Sequence, residues 1–209
     1  EIIESSNLID STKEILKKNS IKNLVFDPND FTFFDYKNLI KDLDINFIEK
    51  PNFSKTKRLI KSDEEIKLLK KASLLGKDGF KEFAKYIKNN GFKRSEKELY
   101  FNAYKYISQS SKYDISFNPI VAINENAAKP HALATSKKLN KNDLILVDAG
   151  IKYKRYCSDR TCTSVADFGN FSFKREQKFK DKKHQKIYDI VLKAQEKSIK
   201  EARAGMKAC

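Results

Sequence analysis

A continuous apolar run, Leu144-Ile-Leu-Val147, is followed directly by Asp148 and then by Ala149-Gly150. Four consecutive aliphatic residues predict a strand that is buried on both faces of a sheet. A carboxylate that closes such a strand is costly unless it is paired, hydrogen-bonded or bound to a cation. The run therefore restricts the fold to one with a covered sheet and an acidic group at the end of a strand.

Asp159 is the second carboxylate of interest, because it lies eleven residues after Asp148 (159 − 148 = 11). Gly150 and the alternating segment that follows it predict an antiparallel partner strand, which would bring Asp159 back beside Asp148. Two adjacent carboxylates repel each other, so divalent cations between them would explain the arrangement. The plainer alternative is a turn residue at Asp148 and a solvated hairpin charge at Asp159, and spacing alone favours it.

His131 follows Pro130 and precedes Asp148 by seventeen residues (148 − 131 = 17). A histidine beside a metal site can hydrogen-bond a substrate amide or an oxyanion. Taken alone, His131 is more simply interpreted as a loop histidine whose hydrogen bonds are satisfied. The second histidine, His184, stands in a Lys-rich helix start and is interpreted as a surface residue.

Alternating helix-like and strand-like patterns occupy the first fifty residues and predict an α/β layer. A helical stripe over residues 8–16 and a helix over 33–43 flank strands at 21–26 and 45–48. Pro51-Asn52 and the basic stretch after it, residues 55–58, are typical of a linker.

Two capping-box patterns, Ser62-x-x-Glu65 and Ser95-x-x-Glu98, then open helices. Strand patterns follow from residue 117 to residue 166. A last helix is predicted over residues 182–204, with Ile187, Ile190, Val191, Ala194 and Ile199 facing inward.

The net charge of +15 first suggests nucleic acid as a partner. Of the 43 basic residues, however, six are Arg and 37 are Lys, and they are spread along every predicted helix. Arg is preferred for reading bases and for binding phosphates, so we do not expect nucleic-acid binding. No apolar run is long enough to span a membrane, and no signal peptide is recognisable. Three cysteines (157, 162 and 209) without zinc-type spacing are typical of a cytoplasmic protein.

Taken together, these segments resemble the catalytic domain of the pita-bread metallopeptidases, in the branch of the Xaa-Pro aminopeptidases and prolidases. The resemblance implies an α/β (α+β) fold. A partial creatinase-type N-terminal domain would cover residues 1–54, and the first half of a pita-bread catalytic domain would cover residues 55–209. The chain starts at Glu1 instead of Met and stops at a helix exit, so we expect it to be incomplete at both ends. The resembling segments are Lys61–Ile66, Ala127–His131, Val147–Gly150, Ser158–Thr163, Tyr188–Gln195 and Ala204–Ala208.

The resemblance also implies a chemistry for the three candidate residues. Asp148 and Asp159 would ligate two divalent ions, manganese first and cobalt, zinc or iron as alternatives, with Asp159 bridging both ions and a bridging water as nucleophile. His131 would contact the substrate and stabilise the tetrahedral intermediate. The remaining ligands, one His and two Glu, would lie beyond the chain, so we expect the fragment to bind metal poorly and to be inactive.

The implied activity is an exopeptidase that hydrolyses the Xaa-Pro bond at the N-terminus of peptides, and the implied assembly is a homodimer. Two positions depart from the family pattern: Asn124 stands where Gly is usual, and Cys162 stands where Arg is common. Asn tolerates the left-handed backbone that Gly would adopt. One alternative is a non-catalytic relative that binds peptides, histones or nucleic acid, and another is metal-free C–N hydrolysis of the creatinase type. Both are disfavoured by the presence of Asp148 and Asp159.

Overall fold

The computed structural model describes residues 3–207, so Cys209 and the last residue of the segment 204–208 lie outside it. The chain forms two compact units, one ending at Ser62 and the other beginning at Asp63. The first unit alternates helices and strands, as its sequence pattern predicts. Its elements are α1 (Leu8–Lys18), β1 (Asn23–Phe26), a 3-10 helix (Pro28–Asp30), α2 (Phe33–Ile40), β2 (Asn46–Glu49) and α3 (Phe53–Leu59).

A small aromatic core holds the first unit together. Strands β1 and β2 pair in parallel, and Phe26 at the end of β1 is buried. Its ring stacks on Tyr36 of α2 with a centroid distance of 5.0 Å, and it meets Phe47 of β2 edge-on at 6.3 Å. The first unit is therefore the α/β layer that the sequence pattern predicts.

The stretch predicted as a linker forms α3 instead. This helix begins after Asn52, which adopts a left-handed conformation with φ of 61°. Lys and Arg have good intrinsic helix propensity, so a basic segment without Gly or Pro is compatible with a helix. One turn along, the Lys57 ammonium lies 5.7 Å from the centre of the Phe53 ring.

The second unit packs helices against two small antiparallel sheets. In one sheet β5 lies between β4 and β8, and in the other β6 lies between β3 and β7. Its elements are α4 (Asp63–Asn90), α5 (Glu96–Ile107), β3 (Asp114–Ile115), β4 (Ile120–Ile123), a 3-10 helix (Asn124–Ala128), β5 (Leu144–Ala149), β6 (Ile151–Tyr153), β7 (Tyr156–Cys157), β8 (Arg160–Val165) and α6 (Lys182–Glu201).

Strand β5 is buried fully on one face only. Ile145, Val147 and Ala149 are completely buried and belong to the core that α4 and α5 cover. The alternate positions, Leu144 and Asp148 among them, are half-buried. The expectation of burial on both faces is therefore wrong, because the described helices pack against a single face. The partly open face is the one that carries Asp148.

Helix α5 begins with the predicted capping box. Ser95 Oγ accepts a hydrogen bond from the Glu98 amide at 3.2 Å, and the Ser95 amide donates to Glu98 Oε2 at 2.8 Å. Leu99, Ala103 and Ile107 follow at helical spacing and are completely buried. The cap and the apolar stripe together fix where α5 starts and which face it turns to the core.

The inward orientation predicted for the apolar residues of α6 is wrong. Ile187, Ile190, Val191 and Ile199 are each more than half exposed, because no element within residues 3–207 covers that face of the helix. Its described attachments come from the segment before it, for example the Arg175–Glu196 ion pair at 3.3 Å. No helix within the described part of the chain is both long and apolar enough to cross a membrane.

The crossing of α4 and α5 generates a first prediction. A Cβ atom added at Gly79 would lie 2.7 Å from the carbonyl oxygen of Ile107, which is backbone and cannot move aside. Gly→Ala inside a helix normally stabilises by about 1 kcal/mol. We expect Gly79→Ala to lower the free energy of unfolding by about 1–3 kcal/mol instead, measured by urea denaturation. The comparison variant is Gly169→Ala in an exposed turn, where the nearest atom is 3.5 Å away, and equal stability of both variants would contradict the close crossing.

Candidate active site

Asp148 occupies a defined position in the central strand of its sheet. In β5 it pairs with Ile120 of β4 on one side and with Thr161 of β8 on the other. Thr161 Oγ1 donates a hydrogen bond of 2.8 Å to Asp148 Oδ1. This bond fixes the carboxylate on the partly open face of the sheet and leaves oxygen lone pairs for a further partner.

Asp159 directly precedes β8, which pairs antiparallel with β5. The alternating segment after Gly150, which the sequence predicts as the partner of this strand, instead forms β6 and β7 of the other sheet. Loss of solvent around the side chain raises the pKa of Asp159, and the charge of Asp148 and a hydrogen bond to it raise that pKa further. The two carboxylates are therefore close enough to interact, which is the arrangement that spacing alone does not favour. Two carboxylates that repel each other in this way favour protonation of one of them or the binding of a cation between them.

Gly150 allows the chain to bring the two carboxylates together. A Cβ atom at this position would lie 1.8 Å from the carbonyl oxygen of Ser158, the residue before Asp159. The Ser158 amide donates to the carbonyl of Ile151 at 2.9 Å, and Ser116 Oγ donates to the Ser158 carbonyl at 2.8 Å. The Asp-Ala-Gly sequence thus combines a ligand-type side chain with the close backbone approach that its partner needs.

His131 is exposed and lies in an irregular segment between the 3-10 helix and the residues that dock on α5. It lines the same cavity as Asp148 and Asp159, which has a volume of about 790 Å³. The structure thus brings the three predicted residues together, whereas their chemical roles stay predictions. His184 is exposed near the start of α6, as the sequence predicts.

The cavity wall is largely aromatic and aliphatic. The sequence pattern does not mark these residues, because a side chain in a predicted helix or strand carries no sign of the cavity that it faces. Lys97 and Tyr100 reach the cavity from α5, next to the capping box. Besides Tyr100, the uncharged side chains other than His131 that line the cavity are those of Phe117, Asn118, Pro119, Ile120, Ala132, Leu133 and Ala134.

The donor set fits part of a metal centre. Adjacent carboxylates present the hard oxygen donors that divalent cations prefer. Within residues 3–207, no group of three or more His, Cys, Asp and Glu side chains is arranged to hold a metal ion. Asp148 and Asp159 could therefore contribute ligands to a centre, but further ligands would be needed to complete it.

The departure at Asn124 is accommodated as expected. Asn124 adopts φ of 49°, the left-handed conformation that Asn tolerates. Its side chain also accepts a hydrogen bond of 2.7 Å from the Leu144 amide and donates one of 2.9 Å to Asp143 Oδ1. Asn124 thus ties the end of β4 to the start of β5, which Gly could not do.

Comparison with known proteins gives a consistent result. The profile of metallopeptidase family M24 matches residues 67–209. The uncharacterised peptidase YqhT of Bacillus subtilis (strain 168) is 30% identical over 209 residues, which is 99% of this chain and 55% of that protein. The chain thus spans about half the length of the curated relatives that it matches.

Solved structures resemble the chain over nearly its whole length. A Xaa-Pro dipeptidase from Bacillus anthracis has a TM-score of 0.78 and 29% identity, covering 99% of this chain and 54% of its own. A dipeptidase from Pyrococcus horikoshii OT3 has a TM-score of 0.72 and 31% identity, covering 98% and 54%. An X-Pro aminopeptidase from Thermotoga maritima MSB8, at 23% identity and a TM-score of 0.79, shares the fold over 98% of this chain and 54% of its own.

The proximity of the carboxylates generates a second prediction. Without divalent cations, Asp159→Asn should raise the free energy of unfolding by about 0.5 kcal/mol, because it removes a repulsion that solvent already weakens. Chemical denaturation at pH 7 in the presence of a chelator measures the effect. Asp114→Asn, an exposed carboxylate in the same unit, should change stability less. A loss of stability on Asp159→Asn would show that the two carboxylates do not repel each other.

Proposed function

The chain belongs to metallopeptidase family M24, and from this premise we propose that it carries part of the catalytic centre of a metal-dependent exopeptidase. The reaction is hydrolysis of the Xaa-Pro bond at the N-terminus of a peptide. One observation carries the proposal: Asp148, Asp159 and His131 line a single cavity. Because the chain spans about half of its relatives, the activity belongs to a longer polypeptide that supplies the remaining ligands.

Asp148 and Asp159 are the proposed metal ligands of this chain. Thr161 orients Asp148 through its 2.8 Å hydrogen bond, so one carboxylate is fixed before any ion arrives. Divalent ions held here would neutralise the carboxylate repulsion and supply Lewis-acid activation of water and of the scissile carbonyl. Oxygen donors favour manganese, with cobalt, zinc and iron as alternatives.

His131 is the proposed contact to the reacting peptide. An imidazole N–H that faces the cavity can donate to the scissile carbonyl oxygen and to the oxyanion that develops from it. Its exposure leaves it free to meet a substrate that enters from solvent. The role is thus stabilisation of charge in the transition state.

The apolar wall supports proline as the second residue of the substrate. Tyr100, Phe117 and Leu133 offer flat and aliphatic surface to a pyrrolidine ring, and a proline nitrogen brings no N–H that would need an acceptor there. The substrates are therefore proposed to be peptides with proline at the second position. The Xaa-Pro dipeptidase among the similar structures has a name that agrees with this choice.

The domain assignment and the cellular setting stay proposals of the same kind. We assign the first compact unit to a partial creatinase-like domain, for which the sequence predicts residues 1–54, and the second to a partial pita-bread catalytic domain, for which it predicts residues 55–209. A homodimer and a cytoplasmic location are predicted, and neither nucleic acid nor membrane is a proposed partner.

Substitution of the two carboxylates tests the proposed function. In a polypeptide that includes the rest of the family domain, Asp148→Asn and Asp159→Asn should each abolish manganese-dependent release of the first residue from an Xaa-Pro peptide, because each removes a charged ligand. His131→Ala should lower kcat by roughly a hundredfold to a thousandfold while metal content, measured by elemental analysis, is retained.

The matched control is Asp78→Asn, since Asp78 is an exposed carboxylate on α4 that pairs only with Lys81 among the described residues. This variant should retain full activity. Full activity in either Asp148→Asn or Asp159→Asn would overturn the assignment of the metal ligands. A metal-free protein without peptide hydrolysis would favour the non-catalytic alternative.

The incomplete donor set generates a separate prediction for the chain of residues 1–209. Two carboxylates should bind Mn²⁺ much more weakly than a polypeptide that adds the remaining ligands, because chelation strength grows with the number of charged donors. Isothermal titration of Mn²⁺ into both proteins compares the affinities. Equal affinity would mean that Asp148 and Asp159 are not part of a larger centre.

A further inference from the structure

Glu96 is a completely buried carboxylate at the first position of α5. Buried carboxylates are rare unless their oxygens are fully used, and here four donors point at them. The donors are the Ile123 amide at 2.7 Å, Asn126 Nδ2 at 2.9 Å, the Thr135 amide at 2.7 Å and Thr135 Oγ1 at 2.6 Å.

These donors flank the segment that carries His131. Ile123 ends β4 and Asn126 lies in the 3-10 helix, both before His131, whereas Thr135 lies after it. Asn126 Nδ2 also donates to the carbonyl of Leu133 at 3.0 Å, so a residue before His131 is hydrogen-bonded directly to a residue after it. The short loop between Asn126 and Thr135 is therefore closed at both ends by one carboxylate.

The backbone of α5 strengthens the same attachment. The Glu96 amide donates to the carbonyl of Lys137 at 2.9 Å, and the Lys97 amide donates to the carbonyl of Thr135 at 3.2 Å. Further along, Leu99 and Ile107 lock α5 into the core. A rigid helix thus holds the residues that follow His131.

Glu96 does not reach the cavity, whose lining on α5 consists of Lys97 and Tyr100. Direct contact between the Glu96 carboxylate and a bound substrate is therefore not part of its role. What the geometry offers is control over where the segment between Asn126 and Thr135 lies relative to Asp148 and Asp159.

We propose that Glu96 is a positioning residue, whose buried carboxylate holds the His131 segment over the carboxylate pair. The catalytic part of this inference rests on the proposed function, whereas the structural part does not. Small misplacements of a catalytic group are costly, since a shift of about 1 Å can lower a rate roughly a hundredfold. A buried anchor that fixes both ends of a loop limits such shifts.

Glu96→Gln is the informative variant, because it keeps the size of the side chain and replaces one acceptor oxygen by an NH₂ donor. Whichever way the amide turns, that donor faces at least one of the donors of Ile123, Asn126 and Thr135. The matched control is Glu98→Gln in the same helical turn, which can still accept from the Ser95 amide and so keeps the capping box, but loses the charge that pairs with Arg94.

Hydrogen–deuterium exchange of the chain itself gives the first readout. Glu96→Gln should speed exchange of amides in residues 123–135 roughly tenfold to a hundredfold, which is the expected effect of losing a buried hydrogen-bond acceptor. Amides of β5 and β8 should keep their rates, and so should residues 123–135 in Glu98→Gln. Thr135→Val serves in its place if Glu96→Gln does not fold. It removes the hydroxyl that donates to Glu96 and accepts from the Lys137 amide at 3.1 Å, and it should give a smaller change in the same direction. Unchanged exchange of residues 123–135 in the Glu96→Gln and Thr135→Val variants would overturn the proposal.

A double-mutant cycle in a polypeptide with the complete family domain gives the second readout. Glu96→Gln should lower kcat by roughly tenfold to a hundredfold with little change in KM, but should cost much less in a His131→Ala background, because both changes remove one function. Equal losses in the two backgrounds would show that Glu96 does not act through His131. Absence of hydrolysis by the unmodified protein would instead defeat the proposed function, and exchange alone would then decide whether Glu96 holds the segment.

Discussion

The pairing of β5 with β8 sets Asp148 opposite Thr161 and leaves Asp159 at the start of the neighbouring strand, so that two like charges lie side by side. Such a pair costs stability in the absence of a cation. The opposite face of the same strand compensates for this cost, since Val147 and Ala149 are completely buried there. One strand therefore serves the core with alternate residues and the site with the others, and the period of two makes the separation automatic.

Helix α5 extends this division of roles from the strand to the whole second unit. Its Leu99 and Ile107 face the core, its Tyr100 faces the cavity, and its Glu96 faces the loop that carries His131. The capping box fixes the start of the helix, and with it the position of each of these side chains along the helix axis. The carboxylate pair and the imidazole come from three different segments of the chain, and one rigid scaffold positions them all.

The sequence predicts the features that depend on a local pattern. It does not predict which apolar surfaces are covered, because that depends on the elements that pack against them. The strand at Leu144–Val147 and the cap at Ser95 follow from periodicity and capping chemistry. The proximity of Asp159 to Asp148 is only one of two arrangements that the spacing leaves open, and it depends on β8 and not on the segment that directly follows Gly150. The second face of β5 and the apolar residues of α6 are more open than their apolar character predicts, because exposure depends on what packs against them within the described chain.

Glu96 carries a sequence signal of a different kind. Glu96 stands three, seven and eleven residues before the buried Leu99, Ala103 and Ile107, so it lies on the apolar stripe of α5. A charged residue on such a stripe predicts a buried polar contact, although the pattern alone cannot name the partners. The Asn124 substitution shows the opposite case, since its left-handed φ could be anticipated from residue chemistry alone.

Cys162, where Arg is common in the family, follows from the same alternation. It pairs with Val147, so it shares the core face of the sheet, whereas Asp148 and Thr161 share the cavity face. Arg160, two residues earlier on the same strand, donates from Nε to Cys162 Sγ at 3.1 Å and from a terminal nitrogen to the Phe173 carbonyl at 3.2 Å. Burial raises the pKa of the Cys162 thiol even though Arg160 opposes the shift, and a thiol with less thiolate is less easily oxidised. Cys162 therefore packs behind the carboxylate pair, and Arg160 places a guanidinium on the same face of β8.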